Sequence, residues 1–225
     1  MFFEKLKPNR GTKLRRNGST DLRISLDPQF LESILLINET EFLTKNIKSN
    51  DLIISPKNHY MIINKANKPI QIEYDQDFEQ HQIIYDPYKY ENTEKIKINP
   101  EEFKHKHNVP EGYIDILPKW YSIKFTYPDH NLIFLKPEIG ISFQIHQDRS
   151  EHWKIISGNP IVLNDHHVYY YAKSGRKFHT PIGTYHSIIN PNDKGGEYII
   201  FKEWWEGHFD EQDIKRVYNP NHYEN

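Results

Sequence analysis

The feature that most narrows the fold is punctuation. Short runs rich in Ile, Val, Tyr, Phe and Trp recur along the chain, and Pro, Gly, Asn or Asp cuts each one off before it reaches helical length. Branched and aromatic side chains favour a pleated, half-buried strand. With turn residues about every 8–12 positions, such runs read as an all-β sandwich, jelly roll or small barrel. The predicted strands are 51–55, 59–65, 70–74, 121–127, 132–135, 141–146, 152–156, 161–163, 168–171, 184–189 and 198–204. Helical signals are confined to two places. Asp27 before Pro28 and an apolar run predicts a short helix over 27–36. Asp210 as cap, Glu211 in a first turn and Lys215 and Arg216 at the end predict another over 210–218.

At 225 residues the chain is long enough for one large domain or two small ones. A boundary is expected between 92 and 118, where the polar stretch 94–107 is followed and interrupted by Pro100, Pro110 and Pro118. This gives a strand-rich segment 1–110, a second domain 111–210 and a tail 211–225 with a short helix. Segment 51–64 repeats the strand–Pro–turn–strand rhythm of the second domain but has no matching ligand histidine. It is either a degenerate second barrel or an extension of the first sheet.

Lys and Arg number 29 against 31 Asp and Glu, for a net charge of −2, so no global field recruits nucleic acid or a membrane surface. The basic cluster Lys13–Arg16 reads as a solvated loop. Cysteine is absent, which excludes disulfides and thiolate metal sites. No stretch approaches ~18 consecutive apolar residues, and no apolar region follows Met1-Phe2-Phe3-Glu4-Lys5. The expectation is a soluble, cytoplasmic protein.

Two segments carry chemistry: Gln144-x-His146-x4-Glu151-x6-Gly158, and Gly175-x5-Pro181-x-Gly183-x2-His186-x3-Asn190. Side chains alternate faces along a strand, so Gln144 and His146 project together. The polar turn 147–150 reverses the chain and lets Glu151 lie across from His146. Pro181 and Gly183 form a turn feeding the strand that carries His186 inward. Two imidazoles, one carboxylate and one amide oxygen make a mixed N/O set for one divalent ion, Zn²⁺ foremost, with Mn²⁺, Co²⁺, Fe²⁺ or Ni²⁺ as alternatives. With four protein ligands or fewer, such an ion keeps room for water or substrate. Trp153, Trp204 and Trp205 read as packing aromatics rather than a carbohydrate platform.

These residues resemble the two motifs of the cupin superfamily, with Gln144 where the first motif usually has histidine. Gln144-Ile-His146-Gln-Asp-Arg149-Ser-Glu151-His152-Trp153, Thr180-Pro181-Ile-Gly183-Thr-Tyr-His186, Asn190-Pro191 and Glu211-Gln-Asp213-Ile214-Lys-Arg216 are similar to signatures of type II mannose-6-phosphate isomerases. That domain also ends the bifunctional isomerase/guanylyltransferases of polysaccharide synthesis. The resemblance spans about 118–217. It implies a cupin jelly roll with Gln144, His146, Glu151 and His186 as metal ligands, and it makes segment 1–110 a possible degenerate second cupin. It also implies Arg149 and Arg216 beside an anionic sugar phosphate, aided by Lys173, Arg176 or Lys177, and pairing into a homodimer. His152 and His179 are the candidate general bases. Asp148 stands where the family has a second histidine. The glycine-rich nucleotidyltransferase signature is missing from 1–110, so guanylyl transfer is not expected.

The implied activity is aldose–ketose isomerisation of a sugar phosphate. Two alternatives are weighed beside it. One is a cupin that binds a sugar or sugar nucleotide without turnover. The other is a non-haem Fe(II) dioxygenase built on His146, Glu151 and His186 alone.

Overall fold

The computed structural model describes residues 1–208 and 213–221. The first half contains β1 (Phe2–Leu6), β2 (Leu14–Arg16), β3 (Leu22–Ser25), β4 (Ile34–Asn38), β5 (Glu41–Leu43), β6 (Ile53–Ile54), β7 (His59–Asn64), β8 (Ile70–Tyr74) and β9 (Gln82–Tyr85). Helix α1 (Pro100–Lys106) follows, and then β10 (Asp115–Pro118), β11 (Ser122–Thr126), β12 (Asn131–Leu135) and β13 (Phe143–His146). The remainder is β14 (Arg149–Ser157), β15 (Ile161–Asn164), β16 (His167–Tyr169), β17 (Lys177–Thr180), β18 (His186–Ile189), β19 (Ile199–Gly207) and β20 (Ile214–Tyr218). Every segment predicted as a strand overlaps one. Among the described residues no helix is long and apolar enough to cross a membrane.

Three antiparallel sheets organise these strands, in the orders β1-β8-β3-β6, β10-β11-β12-β19-β14-β17 and β20-β13-β18-β15-β16-β5-β4-β7-β2-β9. The ten-stranded sheet runs through both halves and joins them where β16 meets β5, with Phe42 N–H donating to His166 O and Val168 N–H to Thr40 O, both at 2.8 Å. The four-stranded sheet covers one end of it, and the six-stranded sheet covers the other. The chain is therefore two sandwiches sharing one wall.

Period-2 alternation explains how that wall works. In β4, Ile34 and Leu36 enter the first core with Leu22, Ile62 and Ile72. Their neighbours Leu35 and Ile37 face the opposite way, into a core shared with Met61, Ile63, Phe143, Ile161, Leu163 and Ile189. In β15 and β18, Val162 and Ile188 instead join Trp153, Ile155, Ile199 and Phe201 in the second sandwich. Central strands are thus apolar on both faces, whereas β14 alternates buried and less buried residues along most of its length.

This burial corrects the helix expected over 27–36. A capped 3₁₀ turn, Pro28–Ser33, does form, with Asp27 accepting from Gln29 N–H, but Ile34 onward is strand. Here the apolar run buries both of its faces as a central strand between two cores. The helix expected over 210–218 is corrected likewise: Ile214–Tyr218 is β20, paired with β13. Residues 210–212 lie outside the described ones. The polar stretch around 94–107 holds α1, capped by Asn99. Its Phe103 packs on Phe125 and Phe134 of the second sandwich, at ring distances of 6.2 and 5.1 Å.

Phe143 sits at the junction of the halves, fully buried, 6.0 Å from the Phe42 ring and 5.5 Å from Tyr218. Phe143→Ala is expected to cost about 3–5 kcal/mol, read as a lower denaturant midpoint. A change below about 1 kcal/mol would mean the junction can collapse around the deletion.

Candidate metal centre

The site lies inside the second sandwich, between its two sheets. Gln144 and His146 come from β13 and His186 from β18, both in the ten-stranded sheet, where Gln144 sits opposite His186. Arg149 and Glu151 come from β14 in the facing sheet. Between them, the turn at Gln147-Asp148 carries the chain from one sheet to the other. Asp213 clamps that turn: its carboxylate accepts from Gln147 N–H at 2.8 Å and Asp148 N–H at 3.1 Å. Burial opposes ionisation of Asp213, but these two N–H groups outweigh it and hold the carboxyl below its ordinary range. Gly207, at φ +105°, passes so close to the turn that a Cβ there would stand 2.6 Å from Asp148 O. Only glycine suits that backbone and that approach.

His146 Nδ1 donates to the backbone carbonyl of Asp213 at 3.0 Å, and His186 Nδ1 lies 3.4 Å from Thr184 O. A carbonyl can only accept, so each ring carries its proton on Nδ1 and turns a bare Nε2 inward. Those nitrogens approach the Glu151 carboxylate at 2.9 and 3.3 Å. All three side chains are buried, and their ligand atoms lie within 4.8 Å of one another. Two lone pairs facing a carboxylate repel it unless protons or a cation stand between. Glu151 Oε2 is also buried without a hydrogen bond. This donor set fits a divalent cation.

Gln144 completes the ring, with Nε2 at 3.1 Å from His186 Nε2 and 3.5 Å from His146 Nε2, while Oε1 accepts from Ser142 Oγ at 2.8 Å. A half-turn of the amide would present Oε1 to the same point and leave the hydroxyl facing an N–H donor. Burial opposes ionisation of Glu151; when protons rather than a cation stand on the inward nitrogens, His146 and His186 outweigh that by hydrogen bonding and charge and hold the carboxyl well below the usual range. Arg149, itself buried, supports it with Nε donating to Oε1 at 3.1 Å.

Comparison with known proteins places this geometry. Residues 121–219 match the family model described as mannose-6-phosphate isomerase C-terminal. The second half is a cupin-type barrel resembling this family. Among solved structures, a sugar phosphate isomerase candidate from Acidithiobacillus ferrooxidans is 20% identical over 40% of this chain and 52% of its own, with a TM-score of 0.31. The capsular polysaccharide assembling protein CapF from Staphylococcus aureus is 18% identical, over 56% of this chain and 32% of its own, with a TM-score of 0.36. A mutant form of Bacillus subtilis oxalate decarboxylase is 11% identical, over 92% of this chain and 69% of its own, also at 0.36. The match thus spans about half of the first of these proteins and a third of the second. None is close enough to transfer a function. No curated protein matches the chain.

Within the cupin barrel the four expected ligand residues do converge, and Arg149 and Arg216 line the same cavity. Other expected residues do not reach it. His152 and His179 pair across β14 and β17, their rings stacked at 4.6 Å, with Trp204 on the other side of His152 at 5.2 Å. That is the face opposite Glu151, because adjacent strand residues point oppositely. The cavity excludes them as general bases. Lys173, Arg176 and Lys177 lie toward the far end of the paired strands β14 and β17, where the Arg176 guanidinium covers the Tyr169 ring at 4.2 Å; none lines the cavity. Asp148 is exposed in the turn. Asn190 is structural, donating to Leu135 O and Glu197 O.

Sequence reasoning missed Glu203 on β19, along with Lys124, which also lines the cavity. Glu203 accepts from Asn131 Nδ2 at 2.9 Å and Trp153 Nε1 at 3.2 Å. Burial, and then the charge of Glu151, push its pKa up to about 7. Two carboxyls facing one cavity are thus driven apart, one ionised and one poised near neutrality.

Asp213→Ala is expected to loosen the turn and weaken metal affinity about 10–100-fold, measured by competition with a chromogenic chelator. Wild-type affinity in that variant would remove the clamp from the site's support.

Proposed function

We propose that the chain is a metal-dependent cupin acting on a sugar phosphate, most like a mannose-6-phosphate isomerase. In this reading a proton moves between C2 and C1 through a cis-enediolate. What carries the reading is one cavity lined by Gln144, Glu151, Arg149, Lys124, Glu203 and Arg216, with His146 and His186 against its Glu151 and Gln144. It combines a cation-binding set, an excess of positive side chains and a carboxyl able to exchange a proton near neutral pH. A bound divalent ion, with zinc foremost, would supply Lewis-acid polarisation of the substrate oxygens.

The protein's own residues do the rest. Arg216 and Lys124 hold the phosphate. Arg149 is committed to Glu151 and fixes the ligand set rather than the substrate. Glu203, oriented by Trp153 and Asn131, takes the C2 proton and returns it at C1.

The test is conversion of mannose-6-phosphate to fructose-6-phosphate by protein reloaded with Zn²⁺, Mn²⁺ or Co²⁺. Turnover that chelator abolishes is the expected result. No turnover with any of these metals, alongside retained sugar-phosphate binding, would replace the isomerase with a binding module. The cluster of His146, Glu151 and His186, taken without Gln144, also suits the two-histidine, one-carboxylate set of Fe(II) oxygenases. Oxygen uptake by iron-loaded protein would favour that second reading.

A further inference from the structure

The cavity over the metal centre measures about 120 Å³, below the ~300–1,000 Å³ usual for a site that encloses a whole small molecule. It does not end there. Lys119, Tyr121 and Arg216 also line a second cavity of about 990 Å³. The two spaces adjoin across these three residues, and the outer one reaches the N-terminal half at Lys7, Asn9 and Arg10. The half of the chain with no ligand histidines therefore contributes a wall to the site.

The groove is positively charged. Arg10 is spent on Glu91, with bidentate contacts of 2.7 and 2.9 Å. Lys7, Lys119 and Arg216 form no ion pair among the described residues. Lys119 Nζ lies 5.5 Å from the centroid of the Tyr121 ring, so cations and an aromatic ring meet at the wall the two cavities share. The amides of Asn9 and Asn219 lie further along. A monosaccharide phosphate is too short to extend along this outer groove to Lys7 and Asn9.

We infer that the combined groove binds a nucleoside diphosphate sugar, with the sugar over the metal centre, the diphosphate on Lys119 and Arg216, and the nucleoside along Lys7–Arg10. The chemistries along the groove match that ligand: a hydroxyl-binding metal set, then two cations beside an aromatic ring at the shared wall, then amides able to take a base. The inference rests on the sugar-phosphate reading of the inner cavity. C1 of such a ligand is bonded to a phosphate oxygen, so it cannot undergo C1–C2 isomerisation. It occupies the site as a competitor of the monosaccharide phosphate.

Calorimetric titration of the metal-loaded full chain with mannose-6-phosphate, GDP-mannose, UDP-glucose and dTDP-glucose tests this. At least one of the nucleotide sugars is expected to bind about tenfold tighter than mannose-6-phosphate and to compete with it. Lys7→Ala is expected to weaken nucleotide-sugar binding about tenfold while leaving mannose-6-phosphate affinity and metal content unchanged, and Lys119→Ala, at the wall both cavities share, to weaken nucleotide-sugar binding more than mannose-6-phosphate binding. Equal affinity for both ligand classes, or an equal loss for both in the lysine variants, would overturn the groove assignment. Failure of isomerase turnover alone would not, since lysine-dependent nucleotide-sugar binding would stand without it.

Discussion

Glu151→Gln is expected to abolish stoichiometric metal binding while keeping the fold. Glu151 is the one anion of the His146–Glu151–His186 set, so the substitution retains shape and removes the charge that draws in a cation. Loss of affinity is expected to reach at least about 100-fold, since even residues one step behind the ligands are worth 10–100-fold. The side chain also answers Arg149, which is buried and donates to it at 3.1 Å. Leaving that guanidinium with less compensation should cost on the order of 3 kcal/mol in metal-free protein. Elemental analysis after dialysis reads the first effect, and denaturant unfolding reads the second. Unchanged metal content would refute the ligand assignment at its centre.

The second large effect is expected at Glu203. Glu203→Gln should leave metal content intact and reduce isomerase turnover by about 10²–10⁴-fold, the usual contribution of a positioned acid–base group. The pH limb near 7 in wild-type turnover should vanish with it. The same group shapes stability. Its folded pKa lies above the ordinary 4.5, so between about 4.5 and 7 the folded state binds more protons than the unfolded one. Stability is then fullest below that window and falls as pH rises through it. Metal-free wild type should therefore lose on the order of 1–3 kcal/mol between pH 4.5 and 8, and Glu203→Gln should flatten that decline. A variant with normal turnover would return Glu203 to a purely structural role, whatever its stability profile.

The site was legible where it depends on local spacing. Gln144 and His146 share a face because they are two residues apart, and a turn brings Glu151 back across from them. The turn before His186, with Gly183 at φ +77°, was visible as Pro181-x-Gly183. Alternation could also have removed His152: it follows Glu151 on one strand, so if Glu151 faces in, His152 faces out. His179, paired with it, follows. Glu203 had no such signal. Its role arises from neighbours on β12 and β14, Asn131 and Trp153, far away in sequence. Lys119 and Lys7 are likewise ordinary surface residues until the two halves are assembled.

The sequence by itself determined the all-β class, the strands of the second sandwich and the convergence of Gln144, His146, Glu151 and His186, because period-2 alternation and turn chemistry act within a few residues. Tertiary structure decided which apolar runs became central strands, as at Ile34–Ile37, and made β20 a strand. It also decided how the N-terminal half walls the groove and why the Glu203 pKa is pushed up to about 7. Those outcomes depend on burial and on charges brought together across sheets, and neither exists until the chain has folded.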